Sequence, residues 1–279
     1  KEVIMAKERA DVLCVSQGLF ESREKAKRAI MAGIVYNDNI RIDKAGEKVE
    51  STAELRIKGK QMPYVSRGGL KLEKAINELN FDVKDKVMID IGSSTGGFTD
   101  CALQNGAKFV YALDVGTNQL VWKLRNDERV KVMEQTNFRH SVKEDFDIYD
   151  IDIASIDVSF ISLSLILPNL AEIIKDGGEV CALVKPQFEA GKDKVGKGGI
   201  VRDKKVQLEV VEKVLLLANS VGFSMTNLSY SPITGGEGNI EFLMILKYVI
   251  FPFLLIIAKS PNIVTIPFRF IIFPFLSIT

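Results

Sequence analysis

An apolar run, Val87-Met88-Ile89-Asp90-Ile91, breaks directly into Gly92-Ser93-Ser94-Thr95-Gly96-Gly97 and continues as Phe98-Thr99-Asp100. A short buried strand feeding a glycine-rich turn and then a helix is the opening unit of a doubly wound α/β sheet. Glycine lets the backbone approach a ligand closely, and a helix start presents N–H groups without partners. The turn therefore reads as a cradle for a nucleotide-type cofactor, since a plain strand-to-helix turn needs fewer Gly, Ser and Thr residues. The spacing is not G-x-G-x-x-G. Ser94 stands where the second glycine would admit a pyrophosphate, so a cofactor without one is easier to seat. Candidate contacts are Asp90, Gly92, Ser93, Ser94, Thr95, Gly96, Gly97 and Phe98.

Further runs of buried-strand length follow at Phe109 to Asp114, Ile151 to Ile156 and Glu179 to Val184, separated by helical patterns. From Gly68 to about Lys247 the chain reads as a doubly wound, mostly parallel Rossmann-like sheet. The first 60 residues differ. Ala10, Leu13, Leu19 and Phe20 mark one helical segment, and Ser22 is placed to cap a second that Gly33 would end. Ile34-Val35-Tyr36, a turn at Asn37-Asp38-Asn39 and Ile40-Arg41-Ile42 read as a hairpin, with strand pieces at Val49 and Leu55-Arg56-Ile57. Gly59-Lys60-Gln61-Met62-Pro63 reads as a linker.

The formal charge of the 279 residues is only +1, so no whole-chain electrostatic case for nucleic acid exists. The distribution is uneven: residues 1–74 hold 16 Lys/Arg against 11 Asp/Glu, the remainder 21 against 25. Cys14, Cys101 and Cys181 are dispersed and odd in number, which points away from a disulfide framework or a zinc site and toward a reducing, cytoplasmic setting. A single histidine, His140, leaves little room for a Ser-His-Asp triad or a His-rich metal centre. Lys1 to Ala10 offers no apolar core of a signal peptide.

Asp114, 24 residues after Asp90 and at the end of the next apolar run, is placed to accept hydrogen bonds from ribose hydroxyls. S-adenosylmethionine meets the combined demands: a ribose for Asp114, a carboxylate for the N–H-rich turn, and a sulfonium that an acid such as Asp157 favours. Lys185 ends an apolar strand at the sheet's carboxyl edge, and Lys71 opens the helix that leads into the sheet. A lysine becomes a base only when desolvated or held near another cation, and a pair of lysines suits that. Asp157 and Glu241 are acids within apolar runs, where carboxylates seldom sit unpaired, and the lysines are their natural partners. Each of these four, read alone, is also compatible with a solvated charge or a structural ion pair.

The sequence resembles the TlyA, or haemolysin A-type, family of 2′-O-ribose methyltransferases, whose catalytic domain is similar to FtsJ. The resemblance covers about residues 7–247. It rests on Ser66-Arg67-Gly68-Gly69-Leu70-Lys71-Leu72, the glycine turn, Leu113-Asp114-Val115-Gly116, Thr136-Asn137-Phe138-Arg139, Ile156-Asp157-Val158-Ser159-Phe160-Ile161-Ser162-Leu163, Leu183-Val184-Lys185-Pro186-Gln187-Phe188-Glu189 and Gly238-Asn239-Ile240-Glu241-Phe242, in that order. It implies a catalytic tetrad of Lys71, Asp157, Lys185 and Glu241, with Lys185 deprotonating or positioning the ribose hydroxyl, Asp157 orienting it, and Lys71 with Glu241 as an outer pair. It implies S-adenosylmethionine contacts that include Asp114, Val115 and Asp157, no metal, and ribosomal RNA or ribosomal subunits as partner, with cytidine as the methylated nucleoside.

The same resemblance implies a division into a small ribosomal-protein-like RNA-binding domain (1–60), a linker (61–67), the methyltransferase domain (68–247) and an unmatched tail (248–279). Arg23, Lys25, Lys27 and Arg28 on the second helix, together with Arg67, are the expected RNA contacts. Residues 191–199 read as a mobile basic loop that either closes over RNA or is a disordered connection. Residues 249–279 carry no acid, two basic residues, six phenylalanines and four prolines. Proline interrupts the apolar runs before any reaches the length of a membrane span. A membrane-active, haemolysin-like protein is the main alternative and leans on that tail. A non-catalytic RNA-binding factor would not need the tetrad, and a nicotinamide dehydrogenase is disfavoured by Ser94 and by the lack of a hydride-transfer histidine.

Overall fold

The computed structural model describes residues 6–58 and 62–249. The tail from 250 on, the first five residues and part of the expected linker lie outside the described residues. The amino-terminal unit comprises β1 (Lys7–Arg9), α1 (Ala10–Ser16), α2 (Arg23–Met31), β2 (Val35–Asn37), β3 (Ile40–Arg41), β4 (Lys48–Glu50) and β5 (Leu55–Ile57). Ser22 Oγ accepts the Lys25 N–H at 3.3 Å and caps α2, and Gly33, at φ +72°, turns the chain out of it. Strand β1 pairs with β4, and β2 lies between β3 and β5, all antiparallel. Leu13, Phe20, Ile30, Val35 and Leu55 pack into a core of their own.

The second unit begins with α3 (Gly69–Glu78) and continues through β6 (Val87–Ile91), α4 (Gly97–Gln104), β7 (Phe109–Leu113), α5 (Trp122–Arg125), β8 (Val130–Met133) and β9 (Ile151–Ile156). It finishes with α6 (Leu167–Ile173), β10 (Ile174–Val184), α7 (Pro186–Glu189), α8 (Lys204–Ser220), β11 (Phe223–Tyr230) and β12 (Phe242–Tyr248). Seven strands form one sheet in the order β11-β12-β10-β9-β6-β7-β8. Strands β6 to β10 run parallel, and β12 is antiparallel to both of its neighbours. Side chains alternate across the sheet: Val87, Ile89 and Ile91 face one core, Met88 the other with Leu72 and Phe98.

From β6 the chain winds outward through β7 to β8, then returns to build β9 and β10 on the other side. The gap between the carboxyl ends of β6 and β9 is thus the switch point where open α/β sheets bind ligands. Because β12 is reversed, its starting residue Phe242 pairs with Val184, the last residue of β10. That register brings the residue before β12 to the same rim as the residues that follow β6, β9 and β10.

Candidate active site

The glycine turn occupies the switch point. Gly92 has φ +86°, and a Cβ there would lie 2.5 Å from the carbonyl oxygen of Asp157, so no side chain fits. Ser94 adopts φ +48°, a glycine-like conformation despite its side chain. Its N–H is held by Asp114 Oδ2 at 2.8 Å, while Asp114 Oδ1 accepts Gly116 N–H at 2.7 Å. Asp90 lies fully buried beneath the turn, accepting Thr99 N–H, Thr99 Oγ1 and Ser155 Oγ, and so ties α4 and β9 to β6. Burial pushes its carboxyl up to about 6, against the pull of those donors.

A cavity of about 660 Å³ opens beside the turn and is lined by Gly92, Ser93, Ser94, Thr95, Gly97 and Phe98. The first N–H groups of α4, which have no partner within the helix, start at this wall. Asp90, Gly96, Asp114 and Val115 are not part of the lining. A Cβ on Gly96 would run into Leu120 and Leu124, Asp114 braces the turn, and Val115 is exposed.

The same cavity is lined by Lys71, Asp157, Lys185 and Glu241. Asp157 follows β9, Lys185 follows β10, Glu241 precedes β12, and Lys71 reaches in from the first turn of α3. They form one line of charges: Glu241 Oε2 to Lys71 Nζ 2.8 Å, Lys71 Nζ to Asp157 Oδ2 3.1 Å, and Asp157 Oδ1 to Lys185 Nζ 2.5 Å. Burial works against the Lys71 ammonium, but the carboxylates of Asp157 and Glu241 outweigh it and raise its pKa, so Lys71 stays charged. Burial likewise works against the Asp157 carboxylate, and the ammonium groups of Lys71 and Lys185 outweigh it, holding its pKa down. Lys185 Nζ also lies 3.3 Å from Ser159 Oγ. Lys71 is thus gripped by two carboxylates and Lys185 by one.

Arg67 is among the residues that line this cavity. The other expected RNA contacts are on α2 and divide into two kinds. Arg23 donates to the buried carboxylate of Asp11 at 2.9 Å, and Lys25 pairs with Glu21, whereas Lys27 and Arg28 make no ion pair among the described residues. Several cavity residues were not singled out from sequence. Ser159 touches Lys185, Phe160 at φ +63° sets its exposed ring against that of Phe188 with centroids 4.9 Å apart and planes tilted by 51°, and Asn239 lines the cavity beside Glu241. All three lie inside the quoted motifs, within three residues of Asp157 or Glu241, which is the signal that could have found them. Among the described residues no group of His, Cys, Asp or Glu is placed to hold a metal, and no helix is long and apolar enough to cross a membrane.

A sheet with one reversed strand, a glycine turn at its switch point and a buried lysine–carboxylate line at its rim define an α/β methyltransferase that uses S-adenosylmethionine. The chain belongs to the FtsJ-like methyltransferase family, whose model matches residues 64–248, and an S4 domain model matches residues 8–55. YqxC of Bacillus subtilis, a candidate rRNA methyltransferase, is 61% identical over 242 residues, which cover 87% of this chain and 86% of that protein. The 16S/23S rRNA (cytidine-2′-O)-methyltransferase TlyA of Mycobacterium tuberculosis is 38% identical over 246 residues, covering 86% and 89%. The solved structure of a hemolysin candidate from Streptococcus thermophilus superposes with a TM-score of 0.70 at 59% identity, over 88% of this chain and 90% of that one.

Proposed function

We propose that the chain methylates a ribose 2′-hydroxyl of ribosomal RNA, with cytidine as the target nucleoside. The carrying observation is the unbroken line Glu241–Lys71–Asp157–Lys185 in the wall of the cavity that begins at the glycine turn. The RNA substrate and the cytidine preference are supported by the activity named for the Mycobacterium tuberculosis relative, and the S4 domain supplies a second RNA-contacting unit. The reading assigns residues 1–60 to RNA recognition, 61–67 to a linker and 68–247 to catalysis, with the cytoplasm, where ribosomal RNA is found, as the place of work.

The turn fits the cofactor on its own geometry: Gly92 has no room for a side chain, Ser94 takes a glycine-like torsion, and Asp114 fixes the turn from behind. In this reading Gly92, Ser93, Ser94, Thr95, Gly97 and Phe98 hold the amino-acid end, with Asp114 and Val115 toward the nucleoside and Asp90 and Gly96 shaping the turn. S-adenosylmethionine supplies a sulfonium-bound methyl group as the electrophile. Lys185 receives or steers the proton at the ribose 2′-oxygen. Asp157 orients Lys185 with one carboxylate oxygen while its other oxygen holds Lys71. Glu241 keeps Lys71 charged and in place. Alignment within the cavity and the positioned amine supply the rate.

Mapping 2′-O-methyl groups on ribosomal RNA from cells with and without the protein tests the proposal. A site that disappears with the protein and returns with the wild-type chain, but not with a Lys185→Ala chain, is the expected result. An identical methylation map in all strains refutes it.

A further inference from the structure

Residues 191–202 connect α7 to α8, with Gly198 and Gly199 in the wall of the catalytic cavity and Lys194 paired to Glu209 of α8 at 2.7 Å. Gly198 and Gly199 line the cavity at φ +77° and +74°, and a Cβ at Gly199 would meet nothing within 4 Å. At Gly199 the tip therefore has no side-chain packing of its own and depends on hydrogen bonds to its backbone for its position. Gly196 bridges to Ile200, and the root of the loop is the buried Val201.

Val201 is gripped from two sides. Its N–H donates to Asn239 Oδ1 at 3.1 Å, and its carbonyl accepts Gln207 Nε2 at 2.8 Å. Asn239 then uses its amide nitrogen twice, donating to Gly199 O at 2.9 Å and to Gly236 O at 3.1 Å. Asn239 is 3% exposed, so no water can replace these bonds cheaply. The turn it belongs to is equally close to the chemistry. A Cβ on Gly235 would fall 2.1 Å from Glu241 Oε1, and Gly235 N–H donates to the Asn239 carbonyl at 2.9 Å. One amide thus joins the glycine wall of the cavity to the turn that seats Glu241.

We propose that Asn239 is a positioning residue for RNA: it holds residues 196–201 as the wall against which the target ribose and its flanking phosphates seat, in register with Glu241. The inference rests on the ribose-methylation reading. Lys192 and Lys197 on this loop are exposed and make no ion pair among the described residues, while Lys194 pairs with Glu209 at 2.7 Å, so the wall offers two uncompensated ammonium groups suited to a phosphate backbone. Among the described residues the Asn239 side chain bonds Val201, Gly199 and Gly236 and none of the glycine turn that cradles the methyl donor, so the donor's affinity should not depend on this clasp.

The test uses the full chain and ribosomal subunits purified from cells lacking the protein. Asn239→Ala is expected to raise KM for the subunits about tenfold, the scale of one or two missing buried hydrogen bonds, with the affinity for S-adenosylmethionine unchanged by calorimetry. Trypsin should cut after Lys192, Lys194 or Lys197 faster in the variant, with the rest of the domain intact. Asn239→Asp, which keeps the acceptor for Val201 but loses both donors, carries the same test where the alanine variant does not fold. A variant whose lower rate reflects only a smaller folded fraction, with unchanged KM for subunits and unchanged tryptic cleavage, overturns the inference. If wild-type protein itself leaves the subunits unmethylated, it is the ribose-methylation reading that fails.

Discussion

Lys71 Nζ lies 2.8 Å from Glu241 Oε2 across 170 residues of sequence, and the two side chains are only 9% and 3% exposed. Glu241 has no other ion pair among the described residues, whereas Asp157 has two. Removing Lys71 strands a buried carboxylate; removing Lys185 leaves Asp157 still paired. Lys71→Met should therefore destabilise the catalytic unit by about 3 kcal/mol and Lys185→Met by clearly less. Adding Glu241→Gln to Lys71→Met should recover much of the loss. Urea denaturation of the four chains checks this ranking, and equal losses for the two lysines would contradict it.

Lys185→Ala should separate binding from chemistry. The residue touches Asp157 and Ser159 at the far end of the charge line from Glu241, and the turn that cradles the cofactor does not depend on it. The affinity for S-adenosylmethionine measured by calorimetry should stay near that of the wild type. Methylation of ribosomal subunits should fall by a hundredfold or more, on the order of a missing positioned base. Loss of cofactor binding in this variant would mean that Lys185 serves the donor rather than the ribose.

The site was legible in sequence to the extent that it lies at strand ends. Asp157 and Lys185 follow directly on apolar runs, and a doubly wound sheet gathers such positions at one rim. Glu241 was legible only as an acid next to an apolar run, since its arrival at that rim depends on the reversal of β12, a pairing between residues about 60 apart that no local pattern encodes. Strand β10 begins at Ile174 rather than near Glu179 because its register shifts across Lys175 to Gly178, where the two glycines read as a turn. Arg23 looked like one more charge on a basic helix face. Its bond to Asp11 was hidden because Asp11 sits in α1, inside a different apolar pattern.

That bond splits the basic helix into two experiments. Burial raises the Asp11 pKa, but the bonds from Arg9, the strongest influence, and from Arg23 prevail and lower it to about 2. Arg23→Ala should destabilise the amino-terminal unit by about 1–3 kcal/mol, because a buried carboxylate loses one of two charged donors. Lys27→Ala with Arg28→Ala should leave stability unchanged and reduce the salt dependence of RNA binding by about one unit of slope for each phosphate no longer neutralised. Filter binding across a salt series checks this, and an unaltered slope would move the RNA surface off α2.

The acid limb of stability should be set in part by Glu134, which the sequence did not mark. Its carboxylate accepts the N–H groups of Asn118, Gln119 and Leu120 at 2.8, 2.9 and 3.1 Å and the Arg125 guanidinium at 2.5 Å. Burial pushes its pKa up, but the Leu120 N–H, Arg125 and the other two N–H groups outweigh it and hold the carboxyl down to about 2 from an ordinary 4.5. A depressed folded pKa means that the unfolded chain binds the proton first. The contribution is therefore fully present above about 4.5 and lost as pH falls toward 2. Glu134→Gln should flatten the fall in stability across that window while lowering stability at neutral pH. The pinned segment also reaches the cofactor turn, since Val121 N–H donates to Thr95 O at 3.3 Å and Leu120 packs where a Cβ on Gly96 would stand. The same variant should then weaken S-adenosylmethionine binding about tenfold at pH 7, the scale of one or two missing charge-assisted hydrogen bonds. Thermal melts from pH 2 to 7 and calorimetry at pH 7 read the two effects separately. A variant that melts like the wild type throughout would remove Glu134 as the strut of this loop.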